Sequence, residues 1–412
     1  MMENKDLILE IGIAVSLVAA FGWIATRFKL SVIPFFILLG MVLGPKAAGF
    51  VPETSVFRFP HSYEFIEFMG RLGVLFLLFY LGLEFSVGRL IRSGKNIVVG
   101  GGFYVALNFV SGLLMGWFMN LPFAETMVLC GIMTSSSTAI VAKVLTDLRR
   151  TANPETEIIM GMIMFDDLFI AMHISFLSGL VLTKSGSVWA VVGTCALALA
   201  FILVFLILGR KVVPYIDRLL KVNSSEVFIL IIFGLLFITA GFSEQIHVAE
   251  AIGALMAGLV LADSTYIKRI EQVVMPYKDY FGAMFFFAFG LSISIDDLSG
   301  AVMWAALAAV LTVVCNVGSG LFAAKFAGMK PKVSFDIGFT LAARGEFSII
   351  MANIGARGNL DPVLQSFVAV YVLILSIVAP LLTKDSRTLW DKIFGKSGPT
   401  GPKKIAGQPY ES

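Results

Sequence analysis

Charge is what this sequence lacks most. Asp, Glu, Lys and Arg make up 14% of its 412 residues while 58% are hydrophobic, which leaves too little polar surface to cover a water-soluble globule of that length. Cysteine stops at three, Cys130, Cys195 and Cys315, each inside an apolar segment and without CxxC spacing. That excludes a disulfide framework and a thiolate metal site and leaves packing thiols. No nucleophile-and-base set stands out, so an enzyme is not expected. The triplet Gly100-Gly101-Gly102 opens an apolar segment, without the strand-turn-helix setting of a nucleotide loop. No cofactor and no nucleic acid is implied.

What is abundant is hydrocarbon. Apolar runs long enough to cross a bilayer core of about 30 Å recur along almost the whole chain: 7–26, 31–50, 66–84, 97–118, 124–143, 157–182, 188–209, 226–243, 247–262, 280–294, 301–324, 335–355 and 364–383. They predict an all-α membrane protein of about 13 transmembrane helices, solvated by lipid. The first run is too long for a signal-peptide core and no small-residue cleavage site follows it, so it reads as a membrane helix. Of the 31 basic residues, 24 fall in alternate loops on one side, which the positive-inside rule makes cytoplasmic. An odd number of spans then puts the N-terminus outside and the C-terminus inside. Residues 1–384 read as one transmembrane domain. Residues 385–412, Gly-, Pro- and Lys-rich around Gly395-Lys396-Ser397-Gly398-Pro399, read as a flexible cytoplasmic tail.

The chain repeats itself. Phe79-Tyr80-Leu81-Gly82-Leu83 aligns with Phe287-Ala288-Phe289-Gly290-Leu291 at an offset of 208, and Gly40 with Leu43 aligns with Gly258 and Leu261 at 218. The matched spans are an odd number of helices apart, so they cross the membrane in opposite senses. An inverted repeat of this kind places substrate near the bilayer midplane, between broken helices. Two interruptions fit: Thr134-Ser135-Ser136-Ser137-Thr138 and Ala342-Ala343-Arg344-Gly345-Glu346. At the 208 offset Ser135 falls on Ala343, so the two breaks are expected to cross at a shared centre.

Asp166 and Asp167 lie about ten residues into their span, near mid-membrane. A buried charge there costs at least about 2.5–3.5 kcal/mol on insertion scales, so the acids call for a functional reason. Neighbouring helical residues point about 100° apart, so one acid faces a site and the other tunes it. A buried carboxylate with a like-charged neighbour holds its proton where a cation can compete for it, and competition for one site is antiport in outline. Asp167 is the expected alkali-cation and proton carboxylate, with Asp166 beside it. The hydroxyls of Thr134, Ser135, Ser136, Ser137 and Thr138 offer hard oxygen ligands; the competing reading makes them small residues that permit close packing. Arg344 and Glu346 form an internal pair or act separately on half-helix ends. His173, about 240° around the helix from Asp167, reads as a packed histidine.

Together Pro34, Leu39-Gly40, Leu43-Gly44-Pro45, Phe79, Gly82-Leu83-Glu84, Ser136-Ser137-Thr138-Ala139, Asp166-Asp167, Gly253-Ala254, Ala257-Gly258, Phe285-Phe286, Gly290 and Arg344-Gly345-Glu346-Phe347 resemble the second family of monovalent cation/proton antiporters, which includes the Kef-type systems. The resemblance implies a sodium/proton antiporter-like fold and a homodimer. It also implies a dimerisation part beside a six-helix core part, about 66–182 and 280–384, that moves like an elevator. Ile159 through Asp167 look most like the potassium-exchanging members, which implies K+, with NH4+ or Na+ as further cargoes. The implied setting is a bacterial plasma membrane, cellular pH homeostasis, and a separate soluble regulatory subunit on the cytoplasmic tail. A Kef-like gated potassium efflux channel and a non-transporting receptor or scaffold remain the alternatives. One departure is plain: many electrogenic relatives carry a Lys that pairs with the Asp dyad, and here Asn316 stands in its place.

Overall fold

The two polar interruptions decide the architecture, because each splits what would be one membrane helix into two half-helices. The computed structural model describes residues 7–28, 31–44, 57, 59–84, 95–182, 211–245, 250–293 and 298–395. Among them are α1 (Leu7–Arg27), α2 (Ile33–Leu43), α3 (Tyr63–Glu84), α4 (Lys95–Phe118), the half-helices α5 (Phe123–Thr134) and α6 (Thr138–Asp147), and α7 (Pro154–Leu182). Residues 211–220 form α8. There follow α9 (Ser225–Gln245), α10 (Glu250–Leu261), α11 (Ile267–Ser292), α12 (Leu298–Phe326), the half-helices α13 (Val333–Leu341) and α14 (Glu346–Arg357), and α15 (Val363–Phe394). The described residues contain no strand. The described parts of the expected segments fall in helices or half-helix pairs, while 188–209 with Cys195, 45–50 and 247–249 lie outside the described residues.

Seven of these helices are long and apolar enough to span a bilayer. Trp23, Trp117, Leu230, Ile238 and Val310 are well exposed, as side chains facing lipid are, because lipid tails exert no pressure to bury them. The chain is a multi-pass membrane protein. Cys130 and Cys315 are free thiols within it.

Packing sorts the helices into two bundles. α4–α7 and α12–α15 form a core bundle, while α1–α3 and α9–α11 form a panel beside it. The expected core ranges took in α3 and α11; both pack instead within the panel, on α10 and α2. Glycine is the reason. A Cβ on Gly82 would strike the Leu255 carbonyl and Gly258 Cα, and one on Gly40 would strike the Phe287 carbonyl and Gly290 Cα. Backbones meet there without side chains between them. Under the alignments found in the sequence, Gly40 maps to Gly258 and Gly82 to Gly290, so each crossing is the other's repeat mate. The core bundle obeys the same rule. Gly112 lies against Cys130 as Gly320 lies against Gly338, both members shifted by 208.

The last helix continues past the boundary expected at Lys384. Arg387 donates from Nε to Asp336 Oδ2 at 3.0 Å and from Nη2 to Glu155 Oε1 at 2.8 Å, while Arg150 Nη1 reaches Asp336 Oδ1 at 3.0 Å. Those bonds hold the end of α15 against α7 and α13, so the ordered domain reaches Phe394. The rest of the expected tail, from 396 onward, lies outside the described residues.

A Val at Gly82 or Gly258 forces two helices apart, and overpacking of this kind costs about 1–3 kcal/mol or more. Both variants should lower the thermal midpoint of purified protein by several degrees, and by similar amounts. Gly234→Ala, where a Cβ meets nothing within 4 Å, should leave the midpoint in place.

Candidate ion-binding site

Where the half-helices cross, four helix ends meet in the interior, and each carries unsatisfied backbone groups. Two are C-terminal ends. Arg344, fully buried, donates from Nη2 to the Met133 carbonyl of α5 at 2.7 Å and from Nη1 to the Leu341 carbonyl of α13 at 2.8 Å. Met133 and Leu341 are 208 residues apart, so one guanidinium serves equivalent carbonyls of both repeats. Its negative surroundings are helix ends, not acids: among the described residues no carboxylate pairs with Arg344. Tyr371 accepts from Nε at 3.2 Å and is itself 2.6 Å from Thr312 Oγ1. Asn108 Oδ1 accepts from Nη2 at 3.2 Å, and the Tyr104 hydroxyl, beside Nη1, donates to the Thr134 carbonyl at 2.9 Å.

The two N-terminal ends face acids, as the helix dipole favours. Asp166 Oδ2 accepts from both the backbone N and the Oγ of Ser136, at 2.8 Å each. Asp167 Oδ2 accepts from Thr138 Oγ1, the first residue of α6, at 3.0 Å. Glu346, first residue of α14, accepts from Ser137 Oγ at 2.9 Å. The crossing is closed by the Ser137 N–H donating to the Ala343 carbonyl at 3.0 Å. It depends on Gly345, because a Cβ there would meet the Ser137 side chain.

Each Asp keeps one oxygen, Oδ1, buried and without a hydrogen-bond partner among the described residues. Buried polar atoms are ordinarily satisfied. Two unsatisfied carboxylate oxygens on adjacent residues, near hydroxyls and with no ammonium or guanidinium paired to them among the described residues, are hard-oxygen donors of the kind a monovalent cation or a proton takes. No cluster of three or more metal-ligating His, Cys, Asp or Glu occurs among the described residues.

The predicted residues divide by what they touch. Ser136, Ser137 and Thr138 meet the acids directly. Ser135 Oγ lies 2.9 Å from Ser348 Oγ and so joins the two breaks to each other. Thr134 turns back onto its own helix, with Oγ1 donating to the Cys130 carbonyl at 2.7 Å. Asn316 does not reach the dyad: its Oδ1 accepts from Asn108 Nδ2 at 2.8 Å. Arg344 and Glu346 act separately. His173 packs among Phe109, Phe169 and Phe176, with Nε2 3.0 Å from the Met127 carbonyl, as a core histidine does. Glu84 is exposed.

Tyr104, Asn108, Ser348 and Tyr371 escaped the sequence reading. For Asn108 a signal existed, since it lies 208 residues before Asn316. The two are repeat mates that bond to one another across the pseudo-symmetry axis.

The transmembrane sodium/hydrogen exchanger family matches residues 13–384. The chain is 50% identical to the K(+)/H(+) antiporter subunit KhtU of Bacillus subtilis, over 97% of this chain and 99% of that one. It is 28% identical to the ammonium/H(+) antiporter subunit AmhT of Alkalihalophilus pseudofirmus, over 96% and 97%. The sodium proton antiporter MjNhaP1 of Methanocaldococcus jannaschii shares the fold, with a TM-score of 0.68 at 20% identity, covering 96% of this chain and all of that one.

Replacing Arg344 with Leu strips donors from two buried carbonyls, at about 1–3 kcal/mol for each. Thermal unfolding in detergent should show a large loss of stability for Arg344→Leu. Asn316→Ala, which removes one bond to Asn108, should cost less, and Asn108→Ala, which also removes the acceptor for Arg344 Nη2 and the donor to the Tyr104 carbonyl, should fall between the two.

Proposed function

The chain belongs to the sodium/hydrogen exchanger family, and from that premise we propose that it exchanges a monovalent cation for H+ at Asp167, with Asp166 as the tuning neighbour and K+ as the principal cargo. The observation that carries this reading is the pair of buried Oδ1 atoms, one on each Asp, that nothing in the described protein satisfies. A cation satisfies them with charge; a proton satisfies them by removing it. Either occupant stabilises the site and the two exclude each other, which is exchange. Arg344 takes no part in the proton traffic, because a guanidinium does not deprotonate in proteins and its donors are committed to the crossing. Its fixed positive charge is felt by Asp166, which suits Asp166 to a permanent electrostatic role and Asp167 to the exchanging one.

K+ is favoured by the relative that matches half of this sequence over nearly its whole length. The other relatives make NH4+ and Na+ the cargoes to test beside it. Ser136, Ser137 and Thr138 are the hydroxyls placed to assist the carboxylates, and Ser135 and Thr134 support the backbone around them. The panel provides the surface for a homodimer, against which the core bundle moves. The reading extends to a bacterial plasma membrane with the N-terminus outside and the C-terminus in the cytoplasm, and to a role in pH homeostasis. A soluble regulatory partner at the cytoplasmic end is consistent with the word "subunit" in the names of both relatives.

Everted membrane vesicles with an acidified lumen and a pH-sensitive fluorophore test this directly. Adding K+ should dequench fluorescence in the wild type, and Asp167→Asn should abolish the response while folding normally. Proton movement that persists undiminished in Asp167→Asn would refute the assignment. Asp166→Asn should retain protein but shift the pH dependence or lower the rate, measured by the same assay between about pH 6 and 9. Conductance without proton coupling would mark a channel instead.

A further inference from the structure

A second charge cluster stands away from the exchange site, toward the Tyr63 end of α3. Glu250, buried at the start of α10, accepts from Arg71 Nε of α3 at 2.7 Å to each carboxylate oxygen, and from Arg357 Nη1 at 3.0 Å. Arg71 Nη2 also pairs with Glu250 and, at 2.9 Å, with Glu244 of α9. Arg71, Glu244 and Glu250 all belong to the panel. Arg357 belongs to the core bundle: it ends α14, whose body packs on α5, α7 and α15. From Glu346 at the crossing to Arg357, α14 runs about 17 Å. The ion pair therefore ties the far end of a site half-helix to the panel.

A cavity of about 610 Å³ opens beside the pair, between the two bundles. Glu64 and Glu67 line its panel side and Asn353 its core side, and Phe285, Phe289 and Ile350, all buried, floor it toward the crossing. The other end of α3 carries Glu84. Glu84 there is exposed and acts electrostatically on Asp167.

We propose that Arg357 and Glu250 are positioning residues of the exchange cycle: a cross-bundle ion latch that holds the core bundle against the panel in the arrangement seen here, and that opens when the core bundle moves along the panel. The chemistry suits a contact that breaks repeatedly. A buried carboxylate stripped of its partner is strongly destabilising, but Glu250 remains bonded to Arg71 when Arg357 leaves. Arg357 is itself 54% exposed and returns to water at little loss. The contact opens without orphaning a charge, unlike Arg344, whose removal leaves carbonyls bare. This inference rests on the exchange reading of the site, through the movement of one bundle past the other.

Two measurements test it in the full chain with Cys130, Cys195 and Cys315 replaced. The first labels Asn353→Cys with a membrane-impermeant maleimide from the Tyr63 side. Arg357→Gln should raise the labelling rate several-fold and change maximal exchange several-fold, and Arg357→Lys should restore both toward the parent. The second joins Arg357→Cys to Glu250→Cys with a short reducible bis-thiol reagent. Crosslinking should stop exchange, and reduction should restore it. Undiminished exchange in the crosslinked protein, or equal labelling in Arg357→Gln and parent, would overturn the latch. If no cation drives exchange in the parent, the site reading falls, and the labelling difference still decides the latch.

Discussion

Two helices broken in the middle of a membrane protein present a problem that lipid does not forgive: freed carbonyls with no water to satisfy them. Here one guanidinium answers it. Arg344 bonds the Met133 and Leu341 carbonyls at 2.7 and 2.8 Å and so neutralises both C-terminal ends of the crossing at once. The arrangement of the proposed exchange site follows from that. With the negative ends satisfied, the positive ends of α6 and α14 are left to face Asp166, Asp167 and Glu346. The dyad then needs no lysine of its own, because the fixed positive charge of the region sits in the crossing. Arg is suited to this where Lys is not, since its planar fork reaches two carbonyls in a fixed geometry while further donors hold Tyr371 and Asn108.

The same economy runs through the panel. The Gly40–Gly290 and Gly82–Gly258 crossings clamp α2 on α11 and α3 on α10 at backbone distance, which makes a stiff surface. The core bundle is tied internally by its own glycine contacts and by the Asp336, Arg150, Arg387 and Glu155 network at the end of α15. Two such bodies, tied across by the Arg357–Glu250 pair, suit the rigid-body movement proposed above.

Much of this was legible in the residues before any coordinates. Lipid penalises polar atoms so heavily that Asp166, Asp167 and the two polar breaks stand out against an apolar background, and the 208 offset already paired the breaks. What the offset implied for single side chains was harder to see. Asn316 resembled a lost countercharge, whereas it is one half of a symmetric Asn pair. Arg344 and Glu346, two residues apart and opposite in charge, left open an ion pair or separate action, and the crossing gives them separate partners, the Met133 and Leu341 carbonyls for Arg344 and Ser137 for Glu346. Tyr104 and Tyr371 were invisible, since their hydroxyls acquire meaning only once the crossing brings them to Arg344. The grouping of α3 and α11 followed contact between glycine backbones, which carries no periodic signature. The helix runs past Lys384 because Arg387, half exposed, ties it to the buried Asp336, a contact that a Gly-, Pro- and Lys-rich tail composition does not announce.

The symmetry has an exception at its centre, and the exception has an evolutionary consequence. At the 208 offset Arg344 corresponds to Ser136: one position holds the guanidinium that serves both repeats, and the other holds the serine that grips Asp166. Two identical half-length chains assembled around the same axis would carry the same residue at both places. Two arginines would crowd the same carbonyls and leave Asp166 without its hydroxyl; two serines would leave the carbonyls bare. An ancestor made of separate, identical halves could not have possessed this centre. Duplication, which gives the two halves separate copies free to diverge, is a precondition for placing the guanidinium on one side and the serine that bonds Asp166 on the other.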